Sequence, residues 1–306
     1  MEKRGFLYKV KKNKVFLLML LPAVLYYFIF SYLPMSGVVL AFKSYNYRDG
    51  IFGSPWSGFD NFKFFFMSGQ AFTVTRNTIL YNLAFIIVNT VLQVGLAIII
   101  AEIKGKYFKK ITQSFMFFPY FISWVIVSVI VYNLFNFEHG IFNSLLKSIG
   151  GQPVDIYSKP TVWVFLIIIF NAWKGVGYGT VIYLSAIMGI DTETYEAAAI
   201  DGANIFQRIF RITIPSLVPT MVILILLAIG NIFKGDFQMF YQLVGNNGPL
   251  FNATDVIDTF TNRSLLQTNE IGMAASAGLY QSVFGFITII AANYFVKKYD
   301  KDYSLF

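Results

Sequence analysis

Six long apolar stretches dominate the alternation of hydrophobic and polar residues along this 306-residue chain. Each holds roughly the 20 mostly apolar residues that an α-helix needs to cross a hydrocarbon core about 30 Å thick. A soluble protein can bury one such helix, but six would need an implausibly large core. The pattern therefore predicts an all-α polytopic membrane protein with six transmembrane helices, at residues 15–35, 79–101, 112–135, 161–188, 216–233 and 273–296.

The first apolar stretch could also belong to a cleaved signal peptide, because six Lys and Arg residues precede it. It is, however, longer than the usual apolar region of a signal peptide, and it contains Pro22 and Pro34 without a convincing Ala-x-Ala cleavage sequence. We therefore expect residues 15–35 to form a retained first transmembrane helix.

The composition supports a membrane protein, since only 13% of the residues are charged and 56% are hydrophobic. Soluble domains carry about 25% charged residues, so an ordinary cytosolic enzyme and a disordered chain are both excluded. The net charge of +8 raises the question of nucleic-acid binding, but the basic residues follow the alternation of the loops.

The tails and loops at 1–14, 102–111, 189–215 and 297–306 hold 15 of the 24 Lys and Arg residues, whereas the three other loops hold 8. Lys and Arg near a span resist translocation, so the more basic group marks the cytoplasmic side. This asymmetry predicts a multi-pass cell-membrane protein with both termini in the cytoplasm. The positive charge is thus an orientation signal, and no nucleic-acid partner is expected.

The loops also predict how the chain is organised. No repeat of 20–50 residues and no low-complexity linker divides it, so a single membrane domain is expected. The aromatic-rich stretch 59–67 is too short to cross a membrane and is expected to lie at its outer interface. We expect the following division: an N-terminal tail at 1–14, the first transmembrane helix at 15–35, an outer loop with an interfacial segment at 36–78, a five-helix core at 79–296 that includes the cytoplasmic loop 189–215 and the outer loop 234–272, and a C-terminal tail at 297–306.

The residue inventory excludes several kinds of chemistry. The chain has no Cys and a single His139, so neither a disulfide framework nor a thiolate or histidine-rich metal site is expected. It also lacks the Gly-x-x-x-x-Gly-Lys-Ser/Thr phosphate loop and a Ser/His/Asp set. We therefore expect a chain that is not an enzyme and that binds no metal or cofactor itself.

The loop 189–215 carries the most specific local signal. Asp191 or Thr192 can cap a helix that ends at Gly202, and a second short helix with an apolar stripe is expected before Pro215 breaks the chain ahead of the membrane. Such a helix–turn–helix with an exposed corner of small residues can insert into a cleft on a soluble partner. From the residues alone, a well-capped loop without a partner is equally compatible.

The spacing of this loop resembles the "EAA" loop of binding-protein-dependent ABC importer permeases. The sequence Glu196-Ala197-Ala198 is followed at the family's intervals by Gly202, Ile212 and Pro215, and Ile214 replaces the family's Leu before the proline. In that family the loop forms a coupling helix that docks into a cleft of the ATP-hydrolysing subunit. The resemblance thus implies that the ATPase would be contacted by Glu196, Ala197, Ala198, Asp201, Gly202, Ile212 and Pro215.

The resemblance extends along most of the chain. The segments 58–62 and 77–78 are similar to the Gly-Leu-x-Asn-Phe and Asn-Thr patterns of sugar permeases, in the oligosaccharide/polysaccharide branch of the maltose-type permeases. Weaker similarities lie at 235–241 and 303–306. The family implies a type I ABC importer permease fold and alternating access. It also implies the following partners: a second and different permease chain, two ATPase subunits that hold ATP and magnesium, an extracellular substrate-binding protein, an oligosaccharide substrate and the lipid bilayer.

Polar residues inside the predicted spans are the candidates for contact with the substrate, because such residues are costly in a membrane and usually face a cavity or another helix. Aromatic rings suit the apolar faces of a sugar, and amide or carboxylate groups suit its hydroxyls. Hydrogen bonding and packing between helices is the alternative role for each of these residues. The candidates are Asn171, Trp173, Lys174, Asn231, Asp236, Phe240, Tyr280 and Gln281.

Other classes of protein fit the sequence less well. An ABC importer permease for a non-sugar solute has the same loop. An ion-coupled secondary transporter would need ionisable groups at mid-membrane, often in Gly- or Pro-interrupted helices, and Lys174 and Asp236 are the charged candidates for it. A membrane enzyme would need a catalytic set that the sequence does not supply.

Overall fold

The computed structural model describes residues 12–304, and within that range it is helical with no named strand. Short turns of helix at Gly50–Gly53 and Phe251–Thr254 lie in the connections. The longer helices, in chain order, are α1 (Lys14–Phe42), α2 (Asp60–Met67), α3 (Gln70–Glu102), α4 (Lys106–Phe117), α5 (Trp124–Phe135), α6 (Ile141–Ser148), α7 (Pro160–Met188), α8 (Thr192–Ile200), α9 (Ile205–Gly230), α10 (Phe237–Val244), α11 (Ile257–Leu266) and α12 (Ile271–Tyr299).

Five of the described helices are long and apolar enough to cross a membrane, namely α1, α3, α7, the unbroken run α9 and α12. A sixth crossing is present if α4 and α5 together count as one. The predicted stretches at 15–35, 79–101, 161–188, 216–233 and 273–296 all fall on these helices, although their ends move. The stretch 59–67, expected at an interface, forms α2, whose Phe65 is fully buried against α12.

The third predicted span, at 112–135, is wrong as a single straight helix. The chain bends by 93° between Lys106–Phe121 and Trp124–Phe135. Pro119 lies in the 3₁₀ turn Phe118–Phe121, where it has no N–H to continue the ladder of α4. The Ser123 hydroxyl then caps α5 by accepting a hydrogen bond from the N–H of Ile126. The break therefore results from the N–H that Pro119 lacks and from the new helix cap at Ser123.

The expected break at Pro215 is also wrong, because α9 runs without interruption from Ile205 to Gly230. A turn of π-helix at Ile209–Thr213 precedes Pro215, and the N–H of Ile214 reaches back to the carbonyl of Ile209. This wider turn makes room for a residue that has no N–H and whose ring would otherwise press on the preceding turn. The two short helices of the predicted helix–turn–helix are thus α8 and the first turns of a membrane-length helix.

The centre of the molecule is the parallel pair α3 and α7, which pack along each other. At the end where α1 begins, called here the N-terminal side, Ile100, Ile187 and Leu217 bury the ends of α3 and α7 against α9. At the opposite side, Trp163 and Phe240 belong to a larger core that joins α3, α5, α7 and α10. These two cores fix the pair and leave polar positions between them.

Helix α1 differs from every other long helix of the described range, since each residue from 12 to 36 is exposed. Only its far end packs on the rest of the chain, where residues 33–42 lie against α12. Residues 1–11 of the predicted N-terminal tail and residues 305–306 of the predicted C-terminal tail fall outside the described range.

Candidate functional site

Two regions of the described structure carry most of the residues that the sequence singles out. The first is the elbow, residues 191–212, which joins α7 to α9 on the N-terminal side. The second is the cleft, an open cavity of about 710 Å³ between α3, α7, the break after α4 and the turn before α10.

The elbow is shaped by capping interactions at both ends of α8. The carboxylate of Asp191 accepts a hydrogen bond of 3.0 Å from the N–H of Glu193, which confirms the predicted cap. At the other end, the N–H of Gly202 reaches the carbonyl of Ala199, and the N–H of Ala203 reaches the carbonyl of Ala198. This pair of bonds is the Schellman arrangement, and it confirms that α8 ends where the sequence predicts.

Gly202 is required by its backbone conformation. Its φ of +77° lies in the left-handed region, which residues with a Cβ enter at a cost. A Cβ built on Gly202 would meet nothing within 4 Å, so the constraint is the dihedral angle and not the available space. The chain then starts α9 immediately, with a capping box in which Asn204 and Gln207 each bond to the other's backbone N–H.

The surface of the elbow faces away from the rest of the chain. Helix α8 has no buried residue, Glu196 and Ala197 are exposed, and Ile200 is 87% exposed. One side-chain hydrogen bond, of 2.9 Å, links the Tyr195 hydroxyl to that of Thr213 on α9. An exposed isoleucine beside a glycine-terminated helix is the kind of surface that a protein partner covers.

The cleft owes its shape to the break between α4 and α5. The break leaves carbonyl groups outside a helical ladder, and Lys174 on α7 donates to two of them, Tyr120 at 2.7 Å and Pro119 at 3.4 Å. The same ammonium group lies 5.6 Å from the ring of Tyr120 and 5.5 Å from the ring of Trp124, which adds cation–π attraction. Lys174 therefore holds the bent segment against α7.

Helix α7 comes close enough to α4 for this contact because of Gly177. A Cβ at this position would overlap the backbone carbonyl of Met116. The approach of the two backbones thus depends on a residue without a side chain.

Asp236 forms the opposite wall of the cleft. One of its carboxylate oxygens accepts a hydrogen bond of 3.1 Å from the indole N–H of Trp124, and the other caps α10 through the N–H of Met239 at 3.0 Å. The carboxylate and the Lys174 ammonium both line the cleft, but they form no direct ion pair in the described structure. The cleft therefore contains one anion and one cation that are held separately.

Amide side chains form the floor of the cleft. The amide of Asn89 on α3 donates to the carbonyl oxygen of Asn171 on α7 at 2.9 Å, and the carbonyl oxygen of Asn89 is buried without a partner. Both residues also line a second cavity of about 360 Å³, which continues toward the N-terminal side and includes Gln93 and Asn231. The two cavities form a polar path beside the α3–α7 pair.

The turn between α9 and α10 is held by side chains from three other helices. Asn82 on α3 donates to the carbonyls of Ile232 and Lys234, and Gln281 on α12 donates to the carbonyl of Phe233 at 2.8 Å. The carboxylate of Asp258 on α11 accepts from the N–H of Gly235. Non-helical backbone in a membrane needs such internal partners.

Burial raises the pKa of the Asp258 carboxyl above its usual range, although its hydrogen bonds from Gly235 and Gln281 act in the opposite direction. The carboxyl is thus a buried member of the same turn. Its position fixes the backbone that immediately precedes Asp236.

The structure brings together four of the eight residues predicted for the substrate pathway. Asn171, Lys174 and Asp236 line the cleft, and Asn231 lines the cavity next to it. The other four lie elsewhere. Trp173 is 40% exposed beside Phe170, and Phe240 is buried against Tyr81. Gln281 supports the turn before Asp236, and Tyr280 packs among the rings of Phe65, Phe66, Phe233 and Phe284.

The cleft also includes residues that the sequence did not single out, chiefly Tyr120, Trp124 and Gln238, together with Asn89. One signal was present, because Asn82, Asn89 and Gln93 share a face of α3 at intervals of seven and four residues. The aromatic residues reach the cleft only through the break at Pro119. Within the described residues, no group of three or more His, Cys, Asp or Glu is placed to hold a metal ion.

Comparison with known proteins gives one family and close relatives over the whole length. Residues 93–301 match the family described as binding-protein-dependent transport system inner membrane component. Protein LplB of Bacillus subtilis (strain 168) is 34% identical over 293 residues, which cover 96% of this chain and 92% of that protein. The polygalacturonan/rhamnogalacturonan transport system permease protein YteP of the same organism is 29% identical over 301 residues, 98% of this chain and 93% of that protein.

A solved structure shows the same likeness in three dimensions. It is a crystal structure of a bacterial alginate ABC transporter in complex with alginate pentasaccharide-bound periplasmic protein. One of its chains is similar to this chain with a TM-score of 0.87 and 30% identity, covering 97% of this chain and 99% of that chain. The broken span, the elbow and the cleft thus belong to an architecture that these comparisons cover almost completely.

Proposed function

The chain belongs to the family of binding-protein-dependent transport system inner membrane components, and from that membership we propose that it is the permease subunit of an ABC importer for oligosaccharides. Its likeness to the alginate transporter chain gives it the type I ABC importer permease fold. The observation that carries the proposal is the exposed, glycine-terminated α8, which lies within the family match and outside every core of the described chain.

In the membrane, α4 and α5 together make a sixth crossing besides α1, α3, α7, α9 and α12. Both termini and the elbow then lie in the cytoplasm, in agreement with the excess of Lys and Arg in the loops of that side. The division into a tail at 1–14, an outer loop at 36–78, a core at 79–296 and a tail at 297–306 follows from this arrangement.

The elbow is the contact for the ATPase subunits. Glu196, Ala197 and Ala198 form the exposed second half of α8, which has no buried residue, and Asp201 and Gly202 form the corner after it. Ile212 and Pro215 anchor the elbow to α9 and do not form the corner themselves. ATP and magnesium bind to the partner ATPases, and this chain supplies the surface that follows their movement.

A second permease subunit, a different chain, covers α1. A helix with every residue from 12 to 36 exposed is too apolar to face water, and its length matches a membrane crossing. An extracellular substrate-binding protein delivers the sugar to the opposite side, as the periplasmic protein with its alginate pentasaccharide does in the alginate transporter.

The substrate passes through the cleft and the cavity beyond it. Asn171, Asn231 and Asn89 provide amides for sugar hydroxyls. Trp124 and Tyr120 provide rings for the apolar faces of the sugar. The permease named for polygalacturonan and the transporter of alginate point to acidic sugars, for which Lys174 is the cation of the cleft.

The ion-coupled alternative is not favoured by the geometry. Its best candidate, Lys174, donates hydrogen bonds to carbonyls of the broken span. Asp236 caps α10 and accepts a hydrogen bond from Trp124. A permease for a non-sugar solute would share the elbow, and uptake assays with labelled oligosaccharides separate the two.

The test replaces two residues of the elbow, Glu196→Lys and Gly202→Asp, with Glu193→Lys on the same exposed helix as the matched control. We expect both elbow variants to reach the membrane in normal amount but to lose at least tenfold of oligosaccharide uptake and to retain less ATPase on purification. Glu193→Lys should stay within twofold of the parent. Normal uptake and normal ATPase recovery in both elbow variants would contradict the proposal.

A further inference from the structure

A groove of about 520 Å³ runs along α3 and α7 near the residues at which both helices begin. It shares no lining residue with the cleft or with the cavity beyond it. Asn77 and Tyr81 of α3 line it, together with three positions that recur every four residues, Arg76, Leu80 and Ala84, and that occupy a different face from Asn82 and Asn89. The groove is therefore separate from the cleft and from the cavity beyond it.

Two parallel stripes of residues form the walls of this groove. Each stripe has three positions at four-residue spacing, so each covers one face of its helix. The stripes are Arg76, Leu80 and Ala84 on α3, and Pro160, Val164 and Ile168 on α7.

The length of the groove matches one leaflet of a membrane. Eight residues of α-helix rise by about 12 Å, and half of a hydrocarbon core is about 15 Å deep. Leu80 is 57% exposed, and Val164 and Ile168 are partly exposed, so the walls are open to an apolar occupant. The mouth of the groove, at the start of both helices, is the end that lies toward the membrane surface.

Arg76 stands at this mouth as a cation without a counter-charge. Its guanidinium donates to the side-chain oxygen of Asn77 and to the carbonyl of Asn252, at 3.0 and 2.9 Å. None of the ion pairs in the described structure includes it, because the neighbouring Asp255 is already paired with Arg263. These neutral acceptors orient the guanidinium without neutralising its charge, so an anion can still pair with it.

We propose that this groove binds an anionic phospholipid, with its phosphate at Arg76 and one acyl chain along the two stripes. Arginine recognises phosphate through charge-assisted hydrogen bonds. An apolar helix from a protein partner would fill the walls but would leave the charge of Arg76 unmatched. The inference requires that the chain spans a membrane and is independent of what the chain transports.

The experiment measures lipid retention, so transport activity does not enter it. The full chain with its partner subunits is exchanged into nanodiscs of phosphatidylcholine and phosphatidylglycerol, and native mass spectrometry counts the phosphatidylglycerol that stays bound after release. Arg76→Gln should lower this retention at least fivefold, and Ala84→Trp, which fills the groove, should do the same. Arg76→Lys should restore part of it.

Lys63→Gln is the control, because Lys63 is an exposed cation on the same side of the chain, paired with Asp60 at 3.1 Å. Its retention should equal that of the parent. Equal retention in Arg76→Gln and the parent, or an equal loss in Lys63→Gln, would overturn the proposal. A disulfide from Leu80→Cys to a cysteine on the partner permease would also overturn it, since a protein would then cover the groove.

Discussion

The elbow and the cleft are built in opposite ways. In the elbow, the capping contacts join residues two to five apart in sequence, such as Asp191 with Glu193 and Asn204 with Gln207, and the tether from Tyr195 to Thr213 spans 18 residues. In the cleft, Lys174 bonds to Tyr120 and Asp236 bonds to Trp124, across more than fifty residues in each case. A surface that must dock on another protein can be specified locally, whereas a cavity exists only after the whole chain has packed.

The largest expected effect breaks the non-local contact between α7 and α4. Gly177→Ala should destabilise the protein by about 3 kcal/mol, because its Cβ would overlap the carbonyl of Met116 and overpacking of this kind costs roughly 1–3 kcal/mol. A thermal-unfolding assay of the purified protein measures the loss.

Gly95→Ala is the matched control, as Gly95 also lies inside a long helix but a Cβ there would meet nothing within 4 Å. Alanine should be neutral or slightly stabilising at that position, since it favours helix over glycine by about 1 kcal/mol. Equal melting temperatures for the two variants would mean that the close approach of α4 and α7 does not support the fold.

A smaller effect is expected when Lys174 is replaced by Met. The apolar side chain keeps most of the volume but removes the donor to the carbonyl of Tyr120, whereas the carbonyl of Pro119 keeps its hydrogen bond from the N–H of Ile122. A hydrogen bond that involves a charged group contributes about 1.5–3 kcal/mol, so the bent segment should loosen and uptake should fall about tenfold.

The measurement that separates the two regions is the recovery of the ATPase with the Lys174→Met variant. This recovery should match that of the parent, because the elbow is untouched. If the ATPase were lost together with uptake, the cleft and the elbow would not be independent.

The smallest expected effect concerns the single side-chain tether of the elbow. Tyr195→Phe removes the hydroxyl that bonds to Thr213 at 2.9 Å and leaves the ring in place. A hydrogen bond of this kind contributes about 1 kcal/mol, so uptake should fall no more than about fivefold. A tenfold loss of uptake would show that α8 depends on this tether more than on its two caps.

The same contrast explains how much of the structure could be predicted from the sequence. The ends of α8 could be predicted because a capping aspartate and a left-handed glycine act within a few residues. The helices themselves could be predicted from hydropathy, since the membrane imposes their length. Lys174 could be recognised as an unusual charged residue within a span. Its role depends on the carbonyls of Pro119 and Tyr120, which come within its reach only because the helix breaks there.

The two prolines show why a break is hard to predict in a membrane helix. Pro119 bends the chain by 93°, whereas Pro215 lies in a helix that continues past it. The difference is a turn of π-helix before Pro215 and a capping serine after Pro119, together with the lysine of another helix. The groups around a proline decide whether its missing N–H is tolerated. The presence of the proline in the sequence does not show which groups those are.

The unbroken α9 has a mechanical consequence. Its 26 residues span about 39 Å at 1.5 Å per residue, and they connect the corner at Gly202 directly to the turn that precedes Asp236. A stiff rod of this kind transmits a tilt at one end as a displacement at the other. The turn of π-helix at Ile209–Thr213 lies near the elbow end of α9, and the 17 residues Ile214–Gly230 separate it from the turn before Asp236, so a tilt of α9 at the elbow would move the backbone beside the cleft.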